Sequence, residues 1–359
     1  MGPNAFAATG NKNAVSLAMI GEPQTLDPML TTADLVGTLM QHVYEPLYTF
    51  DSHWRIVPML AEGMPITKND GKQVDIPLRK GLMFQNGKPV QMSDVVASIK
   101  RWMEISPRGK SVANGVESVE ASADGVLTFK LKSPYAPLLA QLALPTSMAA
   151  IMPESTIATQ MTEFIGTGPY RLKERRPDQY TILEKFDGYV ARKEAPDGYG
   201  GRRIPYIQEL RFIPVPDSNT RVEGVLSGQF DFADLLPVET VGRLEQGGAE
   251  IVPLIGKNFG FPYLVFNTKG TLNSAALRQS AQAAVSAEEL MAAAFGDPKF
   301  FSIGANFFPQ GTPYYSLDGQ PPVRVSLQHG AGAGRTIQAR RIGNRFADRG
   351  LGDFVAAPQ

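Results

Sequence analysis

Histidine is the scarcest residue here that could ligate metal or carry a proton at neutral pH: His42, His53 and His329 are the only three. Their spacing fits no metal-ligand pattern and no HExxH pairing. None of the serines lies in G-x-S-x-G or S-x-x-K, the settings of common acyl-enzyme nucleophiles. Cysteine is absent, which removes thiol catalysis, thiolate-bound zinc and disulfides. "GLMFQNGKP" resembles a phosphate-binding loop, but Gly81 and Gly87 are one residue too far apart. Pro89 also stands where a magnesium-binding hydroxyl belongs, so a hairpin turn fits better. "GTGPY", Gly166 to Tyr170, lacks the third glycine of a dinucleotide fingerprint. The 35 acidic residues include no glycosidase pair that spacing alone identifies. The chain therefore reads as a binder rather than an enzyme, with no cofactor and no metal. A hydrolase with an unrecognised site is the rival from another class, and turnover of a peptide or ester panel would reveal it.

For a binder, the informative stretch is "VSLAMIGEPQTLDP", Val15 to Pro28. Six strand-like residues run into Gly21 and Pro23, a common way to end a strand. The polar residues that follow also suit a ligand site at the carboxyl edge of an α/β sheet. Helical spacing over Thr32 to Val43 groups Leu35, Leu39, Met40 and Val43. Leu47 to Phe50 and Trp54 to Val57 read as strands. Asp70-Gly71, Asn86-Gly87 and Asp124-Gly125 mark hairpins. Ser93 caps a helix over Asp94 to Met103 that buries Val95, Val96, Ile99 and Trp102. "GTGPYRLKERRPDQYTILEKF" gives two strands, "IPYIQELRFIPV" another and "DFADLL" a short one. Ser218 to Ser227, Val238 to Glu245, Leu277 to Val285 and Glu288 to Phe295 read as helices, and "YLVFNT" as a strand. Interleaved strands and helices with no internal repeat favour a mixed α/β or α+β architecture, of which the resemblance below implies α/β.

The 359 residues are 43% hydrophobic and 19% charged, with no net charge. That balance suits a soluble globular protein and gives no basic footprint for nucleic acid. No apolar run reaches the roughly 20 residues of a spanning helix. Ala5-Phe6-Ala7 resembles a signal-peptidase site, so residues 1–13 read as a leader remnant of a protein exported to an oxidising compartment, which the resemblance described below implies is the periplasm. A chain without cysteine suits that oxidising compartment.

Six stretches in order resemble the periplasmic dipeptide- and oligopeptide-binding proteins of peptide ABC importers, solute-binding family 5. They are "GEPQTLDP"; "VYEPLYTFD" with "IVPMLAEG"; "LRKGLMFQNGKPVQMSDVVASIKRW"; "GTGPYRL"; "PDSNTRVEGVLSGQFDFADLLP"; and "YLVFNTKGTLNSAALRQSAQAAV". The resemblance implies a type II periplasmic-binding-protein-like fold with two lobes closing on a ligand. A discontinuous first lobe would take residues 14–47 and 166–255, and an extra subdomain residues 48–165. Residues 256–322 would begin a second lobe, incomplete here, and 323–359 would be a tail outside the family. It also implies capture of a peptide by a monomer that delivers it to a cognate inner-membrane ABC permease. An opine, a nickel chelate or an oligosaccharide is the alternative solute, and a non-functional truncated fragment the other alternative. Ligand contacts carried over by the resemblance are Gln24, Thr25, Leu26, Tyr44, Tyr263 and Asn267. Leu26 and Tyr44 would serve equally well as core.

Two departures bear on structure. Pro77 interrupts a strand-like run, so that strand should lie at an edge or break. Val323 to Gln359 is rich in Arg, Gly and Ala without lysine, as GC-rich DNA read in a shifted frame would be. That segment is expected to be irregular.

Overall fold

The computed structural model describes residues 13–248, 250–256, 265–303, 308 and 311–316. In chain order it forms β1 (Ala14–Met19), α1 (Asp34–Met40), β2 (Tyr48–Phe50), β3 (Ile56–Pro58), β4 (Ile66–Lys68) and β5 (Gln73–Pro77). Then come α2 (Met92–Ile105), α3 (Pro107–Ala113), β6 (Val116–Ala121), β7 (Val126–Leu131) and α4 (Leu138–Ala143). β8 (Tyr170–Arg176), β9 (Tyr180–Lys185), β10 (Glu209–Pro214), α5 (Ser218–Leu226), β11 (Phe232–Ala233) and α6 (Val241–Glu245) follow. The chain divides into two units, Met1–Val252 and Pro253–Gln359. The second contains α7 (Ala275–Ala283) and α8 (Ala287–Phe295).

The first unit holds a mixed α/β architecture on two main sheets. One has the order β11-β1-β10-β9-β8, in which β1 runs parallel to both of its neighbours and the remaining pairs are antiparallel. The carboxyl end of β1 is thus flanked by two like-directed strand ends, where open α/β sheets receive ligands. The other sheet, β4-β5-β7-β6, carries α2 on one face. Its β6–β7 hairpin turns at Gly125, whose positive φ the turn requires. Leu127, Phe129 and Leu131 alternate inward along β7.

α2 begins two residues earlier than its sequence suggests. Gln91, not Ser93, is its N-cap, and the Asp94 carboxylate accepts the Gln91 N–H at 2.9 Å. The helix ends before Pro107, which opens α3 with its missing N–H at no cost. Val95, Ile99 and Trp102 form its buried stripe, and the indole Nε1 donates to the Ser147 carbonyl at 2.8 Å.

Pro77 does not mark an edge strand. β5 is internal, but β4 pairs only with Gln73 to Asp75, so the proline stands beyond the end of that ladder and deprives no partner. The expected strand "YLVFNT" is not formed over the described residues Val265 to Asn267, and Val265 is 74% exposed. Strand propensity without a neighbouring strand to pair leaves extended chain. The 323–359 tail and residues 1–12 lie outside the described residues.

"GTGPY" and "GLMFQNGKP" meet where the chain returns from the second sheet to the first. Gln85 Nε2 lies 3.0, 3.1 and 2.6 Å from the carbonyls of Val43, Gly168 and Tyr170, and its Oε1 accepts the Gly166 N–H at 3.0 Å. A Cβ at Gly166 or Gly168 would collide with the Val43 or His42 carbonyl oxygen, so both glycines serve close backbone approach. Beside them Glu45 is fully buried, accepting from Thr167 Oγ1 at 2.9 Å and Tyr189 Oη at 2.7 Å. These contacts close the crossing with its polar groups satisfied.

Candidate functional site

After Met19 the chain passes across the end of the first sheet. Glu22 and Pro23 join Met19, Tyr180, Phe212 and Pro214 around a cavity of about 10 Å³, the size of one water. A peptide-sized solute does not fit in that cavity. Glu22 Oε1 accepts from Arg175 on β8, at 2.7 Å from Nη2 and 3.2 Å from Nε. Its Oε2 accepts the Asp178 N–H at 2.6 Å. Burial raises the Glu22 pKa, but the Asp178 N–H and the Arg175 guanidinium outweigh it and hold the carboxyl below its ordinary value.

The turn's other end is held from α2. Arg101 meets Asp27 in a bidentate pair, Nη2 to Oδ2 at 2.6 Å and Nη1 to Oδ1 at 3.2 Å, with side chains 5% and 3% exposed. Asp27 Oδ1 also accepts the Met29 N–H, and Thr25 Oγ1 accepts the Asp27 N–H. These side-chain turns fix the backbone from Thr25 to Met29.

The carried-over contacts separate on this frame. Gln24 is exposed and Thr25 half-buried, both on the turn. Leu26 is 2% exposed and belongs to the core. Tyr44 is fully buried as well, and its hydroxyl has no hydrogen-bond partner. Burial first, and the Asp27 charge second, push its phenol above the ordinary value. Asn267 belongs to the second unit, is exposed, and accepts the Lys269 N–H at 3.0 Å. Tyr263 lies outside the described residues. Residue types missed Glu22, Asp27, Arg101 and Arg175. The available signals were two carboxylates bracketing the turn and an arginine on the apolar stripe of α2.

Asp51, His53 and Asp197 place one potential metal-ligand atom each within 4.8 Å of one another. Both oxygens of Asp51 are already committed: Oδ2 to Arg55 Nε at 2.6 Å, Oδ1 to the N–H groups of His53 and Arg55. Asp197 accepts the Ser52 N–H at 3.0 Å. A cation there would face a guanidinium, so the trio fits a cap for the β2–β3 turn better than a metal centre. His42 is equally local. Its Nδ1 lies 3.0 Å from the Thr38 carbonyl, and its ring meets Tyr170 and Phe212 edge-on.

The family model "Bacterial extracellular solute-binding proteins, family 5 Middle" matches residues 55–331. A probable peptide ABC transporter periplasmic-binding protein of Sinorhizobium fredii is 26% identical over 329 residues, 87% of this chain and 61% of the relative. The nickel-binding periplasmic protein of Escherichia coli is 28% identical over 291 residues, 78% of this chain and 52% of the relative. The chain thus spans about half to three-fifths of the length of these relatives. Among solved structures, NikA of Brucella suis with Fe(III)-EDTA aligns at TM-score 0.71 and 21% identity, covering 92% of this chain and 64% of that one. DppA of Helicobacter pylori, with a bound peptide, aligns at 0.71 and 22%, covering 92% and 65%. These likenesses establish the fold as that of type II periplasmic binding proteins.

Proposed function

We propose that this chain, which belongs to the family 5 bacterial extracellular solute-binding proteins, captures peptides in the periplasm and delivers them to an ABC permease in the inner membrane. The observation that carries the reading furthest is the turn at the carboxyl end of β1. It leaves Gln24 exposed and Thr25 half-buried, while both flanking carboxylates are bound by arginines. A side-chain amide and a hydroxyl can hydrogen-bond peptide groups of any sequence, as a transporter of varied peptides requires.

The protein acts as a monomer without catalytic turnover. The Sinorhizobium fredii relative, named as a peptide transporter component, supports the choice of peptide. A calorimetric panel of trialanine, glutathione, an opine and nickel–histidine tests the assignment. Saturable binding of trialanine or glutathione, with the ligand recovered intact, is the expected result. Exclusive binding of nickel–histidine or the opine would overturn the peptide assignment, and hydrolysis of a ligand would overturn the transport role.

A further inference from the structure

The turn Gly21–Asp27 is gripped at both ends by arginines from different parts of the fold. Arg175 stands on β8, at the far side of the first sheet from β1. It donates to Glu22 and also, through Nη2, to the Pro23 carbonyl at 2.7 Å. Arg101 stands on α2, which packs on the other sheet. Besides Asp27, it reaches Met29 Sδ at 3.3 Å and the Ala158 carbonyl at 3.2 Å.

Four residues lie between the two gripped carboxylates. Pro23 has a fixed φ, and Leu26 is anchored in the core. That leaves the exposed Gln24 and the half-buried Thr25 between the anchors, on a segment fixed at both ends. A guanidinium is an expensive choice for the buried stripe of a helix, where leucine would pack without desolvation cost. Its fork matches the Asp27 carboxylate and holds the turn in one orientation, a task leucine cannot perform.

We propose that Arg101 and Arg175 are positioning residues of the solute-facing turn, each holding one of its carboxylates so that Gln24 and Thr25 meet the solute in a fixed geometry. The proposal rests on the reading of this turn as part of the solute site. One consequence is a division of labour. With Glu22 and Asp27 committed, the turn offers a solute neutral hydrogen bonds, and recognition of an ammonium group falls to other residues. Holding the turn before binding also removes an ordering cost that would otherwise weaken affinity.

Hydrogen exchange read by mass spectrometry tests this on the whole protein, comparing wild type with Arg101→Met, Arg175→Met and the matching lysine variants. In Arg175→Met the non-proline amides from Gln24 to Leu30 should exchange about tenfold faster, while β1, β10 and α2 keep their protection; Arg101→Met, which strands a buried charge, should loosen the turn at least as much and lower protection elsewhere as well. Each lysine variant should recover part of the loss, because it restores the charge without the fork. Trialanine is the probe for the second arm, and its affinity should fall in the methionine variants and partly return in the lysine ones. Unchanged exchange in the turn of either methionine variant, or equal loosening of the whole first unit in Arg175→Met, would overturn the proposal. If Arg101→Met does not fold, Arg175→Met and both lysine variants still decide, since Arg175 is partly exposed. Failure of trialanine to protect the wild-type turn would count against the functional reading alone, because the exchange comparison needs no ligand.

Discussion

Arg101 Nη2 lies 2.6 Å from Asp27 Oδ2, joining a helix on one sheet to the turn at the end of the other, 74 residues apart in sequence. Breaking such a pair from one side strands a buried charge. Arg101→Met alone should therefore destabilise by about 3–5 kcal/mol. Combining it with Asp27→Leu should recover a large part of that loss. Chemical denaturation followed by circular dichroism would show it, and additive losses in the double variant would contradict the pairing.

Trp102 is fully buried, and its indole N–H is satisfied by the Ser147 carbonyl. Trp102→Ala should cost about 3–5 kcal/mol through the cavity it leaves. Trp102→Phe retains most of the volume but leaves that carbonyl without its indole donor, so a smaller loss of about 1–3 kcal/mol is expected. Denaturation midpoints that do not separate the two variants would contradict the cavity assignment, and a Trp102→Phe midpoint equal to wild type would mean the hydrogen bond is immaterial.

The glycines of "GTGPY" give a steric prediction. A methyl group at Gly166 or Gly168 would overlap the backbone of His42 to Tyr44, whereas one at Gly63 or Gly242 meets open space. Gly166→Ala and Gly168→Ala should each lose more than about 2 kcal/mol, and Gly242→Ala, inside α6, should be neutral or stabilising. Equal melting temperatures across the set would show that the crossing can relax.

His42 gives a pH dependence. Burial first, and the Arg203 charge second, lower its pKa from 6.5 to about 4. Near it stand Arg203, the Thr38 and Leu39 carbonyls, which favour the protonated ring but do not offset the burial, and the rings of Tyr170 and Phe212. Above pH 6.5 neither the folded nor the unfolded state is protonated at this site, so it contributes no slope. Between pH 6.5 and 4 only the unfolded chain takes the proton, so stability falls by up to about 3 kcal/mol and then levels. His42→Gln should remove that portion of the pH profile. A profile identical to wild type would show that the imidazole is not the group responsible.

Local pattern in the sequence reveals local structure well. The Asp124-Gly125 hairpin, the alternation along β7 and the Val95–Ile99–Trp102 stripe are written in adjacent residues. The strand-into-turn reading of "VSLAMIGEPQTLDP" also matches β1 and the turn that follows it. Three features escape a local reading because partners far apart in sequence decide them. Gln85 is clipped to Gly166, Gly168 and Tyr170, 81 to 85 residues away. Arg175 reaches Glu22 across 153 residues. Leu26 and Tyr44 could serve as contact or core until tertiary packing placed both inside. "YLVFNT" fails for the opposite reason: its β-propensity is high, but no strand pairs with its described residues.

The most direct test of the account is a native mass spectrum of the protein purified without denaturation, recorded alone and with trialanine, for wild type and Gln24→Ala. The account predicts a peptide-sized adduct on the wild type that is released intact and is markedly reduced in a Gln24→Ala variant of unchanged melting temperature. A folded wild-type protein that carries no adduct at any trialanine concentration, or one that returns trialanine cleaved, would contradict it.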